Sequence, residues 1–404
     1  MLSYDEARQK VIEVAGKRLG EIPTERVELA QALGRTVAED VKADRDYPPF
    51  NRSTRDGFAV RAADIVGESK SCRLIGESKA GTAFPGKVGP GECVQIMTGA
   101  PLAAGADAVV MLEHTRQGRG EVIVERHVHA GENVVAAGSE AKAGQVVLER
   151  ATRLGYAELA LAAQVGHIRV AVTRRPRVAI LSTGDEVVAI GSHPGPFEIR
   201  NSNSVSLAAQ AELAGAAPVP LGNAPDRVDQ LRAMIERGLK EDFLILSGGV
   251  SAGKYDLVEG VLRELGAEFF FDAIAIRPGR PAVFGICRDK LVFGLPGNPV
   301  STMVTFELLV APAIDLRSGL APRPLPVFKA RLAKPITQKA LLTHFLPALV
   351  SWPEGEPVVE ELPWQGSGDI VAVARANCFL IVHPKKLSIG AGEWVDVLPR
   401  RGAL

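Results

Sequence analysis

Residues 242–256, DFLILSGGVSAGKYD, decide how the rest of the chain is read. Phe243, Leu244, Ile245 and Leu246 form an unbroken apolar run that ends in an abrupt glycine-rich turn, the pattern of a strand buried on both faces of a parallel sheet. Beyond the strand end expected at Ser247, Gly248, Gly249 and Gly253 permit positive dihedrals and close approach of backbone to a ligand. Ser247 and Ser251 add hydroxyls and Asp256 a carboxylate, so the loop suits an anion with a metal ion beside it. Glycine and serine alone would equally describe a plain βα turn. Two further stretches repeat the plan. VAILSTGDE (178–186) runs from an apolar strand, Val178 to Leu181, into Ser182, Thr183, Gly184, Asp185 and Glu186. LVFGLPGNPVS (291–301) places Pro296, Gly297, Asn298 and Ser301 at the head of an apolar helix expected over Val300 to Val310. In an open α/β sheet such loops gather at the carboxyl edge, where ligands bind at the topological switch point and helix N-termini direct free N–H groups at phosphate.

Around this core, 404 residues predict two to four domains. With 47 basic and 47 acidic residues there is no global field to recruit nucleic acid or an anionic membrane, so any anion must be bound locally. The four cysteines are scattered without CxxC spacing and no leader pattern opens the chain, which predicts a reduced, cytoplasmic protein. No apolar run approaches the roughly 20 residues of a membrane span.

In chain order, residues 3–19 show helical apolar spacing, with Ser3 as cap and Glu6 three residues on. A second helical piece is expected at Glu28 to Leu33, and Pro48 and Pro49 then mark a domain crossing. Residues 51–143 read as β-rich and barrel-like, with strands at Ala108 to Leu112 and Glu121 to Val128. From Arg177 to about Ala321 strands and helices alternate, predicting βαβ units; Asn201–Ser204 would cap a helix that Gly215 closes, and Asp226 to Gly238 would form another. After a linker marked by Pro322, Pro324 and Pro326, residues 326–404 read as a small β domain.

The ordered set NRSTRDGFAVRAAD, QIMTGAPLAAGADAVV, STGDE, SGGVSAGKYD, RPGRP and GLPGNPVS resembles the molybdopterin molybdotransferase (MoeA) family, related to the gephyrin E domain, from about residue 3 to the C-terminus. The resemblance implies a multidomain α/β protein with a doubly wound parallel-sheet (MogA-like) domain at 177–325. It also implies an elongated N-terminal domain (1–50 and 144–176), an inserted β-barrel-like domain (51–143) and a C-terminal β domain (326–404). The implied reaction inserts molybdate into adenylylated molybdopterin, with release of AMP and the help of Mg²⁺. Asp256 would be the first metal ligand, and Glu186, or Asp185 in its place, would bind the metal or the pterin from the neighbouring loop. Ser251 would bind phosphate, and the loops carrying Ser182, Thr183, Gly184, Ser247, Gly248, Gly249, Pro296, Gly297, Asn298 and Ser301 would bind the substrate.

Read alone, Asp56 is a turn-capping residue; the resemblance instead implies that Asp56 and Thr98 complete the active site of a partner subunit in a homodimer. Arg277 and Arg280 of RPGRP are either a solvated basic turn or a cationic pair for molybdate, standing where the family has lysines. Pro347 replaces a family arginine, Glu140 a family aspartate, and Ser367 matches a polar loop near molybdate or a simple hairpin turn. His127 and His129 would share a strand face as metal ligands or, more simply, alternate toward solvent. A molybdopterin adenylyltransferase is an expected delivery partner; nucleic acid and membrane are not. The alternatives are a gephyrin-like scaffold without activity and the adenylyltransferase itself, which shares the α/β domain.

Overall fold

The computed structural model describes all residues except 19, 68, 250–256, 338–341, 385, 387 and 404, and therefore leaves Ser251 and Asp256 outside the described residues. The chain divides into two compact units, one of Met1–Arg26, Gly34–Ala38 and Ala171–Leu404, the other of Val27–Leu33 and Glu39–Val170.

The first unit opens with α1 (Tyr4–Lys17), whose cap is the reciprocal pair expected: the Ser3 hydroxyl accepts from Glu6 N, and the Glu6 carboxylate accepts from Ser3 N. The short pattern at 28–33 does not sustain a helix. Thr24–Glu28 is extended and only Leu29–Gln31 makes a 3₁₀ turn, since six residues cannot repay helix nucleation.

The α/β domain follows as β1 (Arg177–Thr183), α2 (Ser202–Ala214), β2 (Ala217–Ala224), α3 (Val228–Gly238), β3 (Phe243–Ser247), α4 (Leu257–Glu264), β4 (Glu268–Ala273), β5 (Pro281–Cys287), β6 (Lys290–Leu295) and α5 (Pro299–Arg317). The sheet order is β2-β1-β3-β6-β5-β4, with β2, β1, β3 and β6 parallel and the β5 and β4 ladders antiparallel. Strand alternation explains the continuous apolar runs. Val178, Ile180, Phe243 and Ile245 pack on one face with Leu207 and Ala211 of α2 and with α5. Ala179, Leu181, Leu244 and Leu246 pack on the other with Leu231 and Ile235 of α3 and Val258 and Leu262 of α4. The chain therefore leaves β1 for one face and β3 for the opposite face, which puts the switch point between these two strands.

Helix α5 runs beyond the expected Val310, through a π turn at Phe306–Val310. It is apolar and long enough to span a bilayer by composition, but 83% of its apolar window is buried inside the protein. Helix α1 packs along it, and the Tyr4 ring meets Phe345 edge-on at 5.5 Å.

In the C-terminal region β7 (Phe328–Leu332), β8 (Thr343–Ser351), β9 (Val358–Glu361), β10 (Cys378–Val382) and β11 (Trp394–Pro399) close into a barrel: β8-β9-β7-β11-β10 and back to β8. The second unit carries a six-stranded sheet in the order 108–111, 57–60, 92–96, 70–78, 121–124, 115–117. Phe58, Val60 and Val110 pack on one of its faces and Ala59, Val94 and Val109 on the other. The strand expected over Glu121 to Val128 ends at Val124, so His127 and His129 lie in the loop beyond it. The four cysteines are buried and unbridged.

Candidate active site

At the carboxyl edge of the sheet, the ends of β1 and β3 and the starts of α2 and α5 enclose a cavity of ≈ 640 Å³. Its shape depends on glycines. Gly248 sits at φ 96°, and a Cβ there would stand 2.8 Å from the Thr183 carbonyl oxygen. A Cβ on Gly249 would meet Thr183 Oγ1 at 2.9 Å, and one on Gly297 would reach Gly248 Cα at 3.5 Å. The loops after β1 and β3 thus touch where a side chain could not intervene, and the loop ahead of α5 lies within van der Waals reach of them.

Asparagines fasten these loops. Asn201 Oδ1 accepts from Ser182 Oγ at 3.0 Å and from Ser204 N at 3.0 Å, tying the end of β1 to the first turn of α2. Asn203 Nδ2 donates to Ser247 Oγ and to the Gly297 carbonyl, both at 2.7 Å, joining β3 to the loop ahead of α5. Asn223 Nδ2 donates to the carbonyls of Gly184 at 2.9 Å and Val187 at 3.0 Å. Among the described residues, Thr183 Oγ1, Asn203 Oδ1 and Asn223 Oδ1 are buried without a hydrogen-bond partner. An unmade buried hydrogen bond costs about 1–3 kcal/mol. Two of these three residues line the cavity, so their free atoms mark it as a place where a ligand completes the network.

The rim is acidic. Glu186 and Asp226 line the cavity, and Asp185 Oδ1 accepts from Asp226 N at 3.0 Å. Burial, followed by the charges of Asp185 and Glu186, pushes the Asp226 carboxyl above its ordinary range. A cation among these carboxylates would relieve that repulsion, and Mg²⁺ accepts one or two carboxylates with substrate oxygens completing its shell. Among the described residues no group of three or more His, Cys, Asp or Glu side chains is arranged to hold a metal by itself.

The structure brings Ser182, Thr183, Gly184, Glu186, Ser247, Gly248, Gly249, Pro296, Gly297 and Asn298 to one cavity. Ser301 is different: it is buried inside α5, where its carbonyl accepts from Thr305 Oγ1 at 2.8 Å. Ser367 connects to the rim, its Oγ accepting from Asn298 Nδ2 at 2.8 Å and its carbonyl from Val300 N at 3.0 Å. Arg277 and Arg280 are exposed beside the rim residue Pro281. Arg277 stands in register with His344 of β8, whose pKa is lowered by burial and then by the Arg277 charge. Pro347 is buried in β8 opposite Phe379.

In the second unit Asp56 Oδ1 accepts from both Thr98 N at 2.7 Å and Thr98 Oγ1 at 2.8 Å, although the two residues are 42 positions apart. Both bonds hold the exposed Asp56 carboxylate below its ordinary pKa, the backbone bond more strongly. Glu140 pairs with Arg52 at 2.9 Å. The rings of His127 and His129 meet edge-on at 4.5 Å, and His127 Nδ1 lies 3.0 Å from the Ile65 carbonyl, which makes them a packed pair in a loop. Sequence reasoning missed Asn203, Asn223 and Asp226 as site residues. The first was read only as part of a helix cap and Asp226 only as a helix start, yet polar residues opening a helix at a sheet's carboxyl edge were an available signal.

A doubly wound domain with an acidic, glycine-lined crevice at its switch point and two helix N-termini opening on it defines a binding fold for an anionic, heterocycle-sized ligand. Comparison with known proteins makes the assignment particular. Residues 2–166 match the MoeA N-terminal region (domain I and II), 179–316 the probable molybdopterin binding domain, and 329–399 the MoeA C-terminal region (domain IV). A molybdopterin molybdenumtransferase of Bacillus subtilis is 37% identical over 98% of this chain and 94% of its own. One from Staphylococcus epidermidis is 31% identical over 98% and 95%. Two solved structures of molybdopterin biosynthesis MoeA proteins from Pyrococcus horikoshii superpose with TM-scores of 0.77 and 0.79. Their identities are 33% and 27%, over 98% and 99% of this chain and 99% and 100% of theirs. The chain belongs to the MoeA family of molybdopterin molybdenumtransferases.

Proposed function

We propose that this protein inserts molybdate into adenylylated molybdopterin and releases AMP, working as a cytoplasmic, Mg²⁺-dependent homodimer. The observation that carries the reading is the cavity between β1 and β3, where Thr183 Oγ1 and Asn203 Oδ1 lack partners among the described residues, beside the carboxylates of Glu186 and Asp226. The unpaired polar atoms suit the edge of a pterin, and the N-termini of α2 and α5 suit its phosphates. Glu186 and Asp226, with Asp185 behind them and Asp256 from the stretch outside the described residues, would hold the cation, and Ser251 from the same stretch would bind phosphate. Bound there, Mg²⁺ supplies Lewis-acid neutralisation of the phosphoanhydride oxygens. Gly248, Gly249 and Gly297 let the substrate approach the backbone closely and exclude water from the same space. Arg277 and Arg280 face molybdate as fixed cations; with Pro347 in place of an arginine, they supply most of its positive surroundings. Ser367, fixed by Asn298, adds a hydroxyl to that edge. The Asp56–Thr98 pair, preformed on the second unit, is assigned to the cavity of a second copy of the chain. The adenylyltransferase that makes the substrate is the partner from which transfer is expected.

The test is molybdate-dependent AMP release by the purified chain with adenylylated molybdopterin and Mg²⁺. No release under saturating molybdate would overturn the reading. Each charge-assisted hydrogen bond contributes about 1.5–3 kcal/mol. Arg277→Ala or Arg280→Ala should therefore raise half-saturating molybdate by about one to two orders of magnitude. The double lysine variant should stay active. For the shared site, Asp56→Ala protomers mixed with Asp226→Ala protomers should recover activity in the mixed dimer, because one of its two sites is intact; a mixed dimer that forms and stays inactive refutes it.

A further inference from the structure

The first unit contains a second cavity, of ≈ 280 Å³, walled by α1, the C-terminal half of α5, the proline-rich segment at 323–326 and the chain just beyond β11. Four arginines line it, Arg8, Arg323, Arg400 and Arg401, against two carboxylates, Glu307 and Asp315. Both carboxylates are already engaged. Arg323 grips Asp315 through Nη2, at 3.0 and 2.9 Å from the two oxygens, and through Nε at 3.3 Å. Arg401 Nε donates to Glu307 Oε2 at 3.1 Å, and Gln210 Nε2 donates to Oε1 at 3.1 Å. Arg8 and Arg400 are left as two cations around one cavity with no carboxylate bonded to either among the described residues. The Nε of each is buried and has no hydrogen-bond partner. Arg8 spends one Nη2 proton on the Arg323 carbonyl. Burial lowers its pKa, and the nearby Asp5 and Asp315 charges offset this less.

Two half-buried arginines contributed by different elements, each with a buried Nε that has no hydrogen-bond partner among the described residues, form a receptor lacking its anion. We propose that this cavity binds a tetrahedral oxyanion, as inorganic phosphate or molybdate or as the phosphoryl group of a small phosphomonoester, between Arg8 and Arg400 and apart from the cleft at the β1/β3 switch point. Forked donors suit oxygen atoms in pairs, and a lining with four arginines against two carboxylates has the positive surplus that suits a dianion. The cavity exceeds a bare phosphate in volume, so the three ligand forms are distinguished by experiment.

The experiment is calorimetric titration of the full-length protein with inorganic phosphate, molybdate and glycerol phosphate, at constant ionic strength set with chloride. Arg8→Gln/Arg400→Gln should weaken binding by roughly tenfold or more for each arginine removed, about a hundredfold in all. The half-saturating molybdate for AMP release should not change. Arg277→Ala/Arg280→Ala should retain the phosphate site. If the glutamine variant fails to fold, Arg8→Lys/Arg400→Lys keeps both charges without the fork and should bind about tenfold more weakly than the parent. Phosphate binding equal in the parent and in either Arg8/Arg400 variant overturns the proposal. So does a site that disappears only in Arg277→Ala/Arg280→Ala, or no binding above the chloride background.

Discussion

Gly248→Ala tests the packing of the cleft most directly. Gly248 lies at φ 96°, where a side chain costs about 1–2 kcal/mol. Its Cβ would also stand 2.8 Å from the backbone oxygen of Thr183, and that oxygen belongs to β1, which cannot move without disturbing the parallel ladder to β3. Overpacking of this kind costs about 1–3 kcal/mol, so the total is about 2–5 kcal/mol. For a domain of this size that lowers the melting temperature by roughly 5–15 °C. Gly297→Ala is the matched control: its Cβ meets Gly248 Cα at 3.5 Å, an ordinary contact, and its φ is not left-handed. It should stay within about 0.5 kcal/mol of the parent while its methyl group narrows the cavity and weakens AMP release. The assay is thermal and urea unfolding of both variants beside the parent. A Gly248→Ala variant that melts within about 1 °C of the parent, or two alanines that cost the same, would refute the reasoning.

Thr98→Val removes the hydroxyl bond that helps depress Asp56, so the Asp56 carboxyl should titrate at higher pH in the variant, as followed by carboxyl NMR; an unmoved titration would mean that the backbone bond alone sets it. Asp242 accepts from Arg177 N and Arg174 at 2.8 Å and from Arg317 at 3.4 Å. Burial raises its pKa, but these donors outweigh it and the net shift is downward from 3.8. A depressed folded pKa means that the stabilisation is full above the ordinary carboxylate range and is lost as pH falls through the folded value. Asp242→Asn should accordingly flatten the acid limb of stability below about pH 4, and Asp242→Ala should cost roughly 3 kcal/mol at neutral pH; an unchanged acid limb would show the cluster to be dispensable.

The α/β domain was legible because its strands carry their own boundaries. Phe243 to Leu246 and Val178 to Leu181 read as two-faced strands and are so, with Ser182 and Thr183 as the last strand residues rather than the first of the loop. Cap signals were equally local: Ser3 with Glu6, and Asn201 with Gly215, each act within a few residues. What depends on distant residues could not be read. The Asp56–Thr98 bonds, the closure of β8 onto β10 and the engagement of Asn203 with Gly297 join segments tens of residues apart. Pro347 illustrates the limit. Proline argues against an internal strand, yet its carbonyl accepts from Leu362 N just past the Ala348–Glu361 pair, where the β8–β9 ladder ends. The missing N–H points along that same side, so the ladder to β10 loses nothing.

The packing of α1 against α5 and β8 also sets an order of events during synthesis. Tyr4 leaves the ribosome about 340 residues before Phe345, its ring partner. The apolar stripe of α1 is covered by α5, about 300 residues later, and at about 5–20 residues per second it waits roughly 15–60 s for that surface. The segment from Glu39 to Val170, by contrast, holds its partners within itself and can fold while the α/β domain is still being made. Helix α1 is therefore among the last pieces seated, and a chain truncated before α5 would present that stripe to whatever binds exposed hydrophobic segments in the cell.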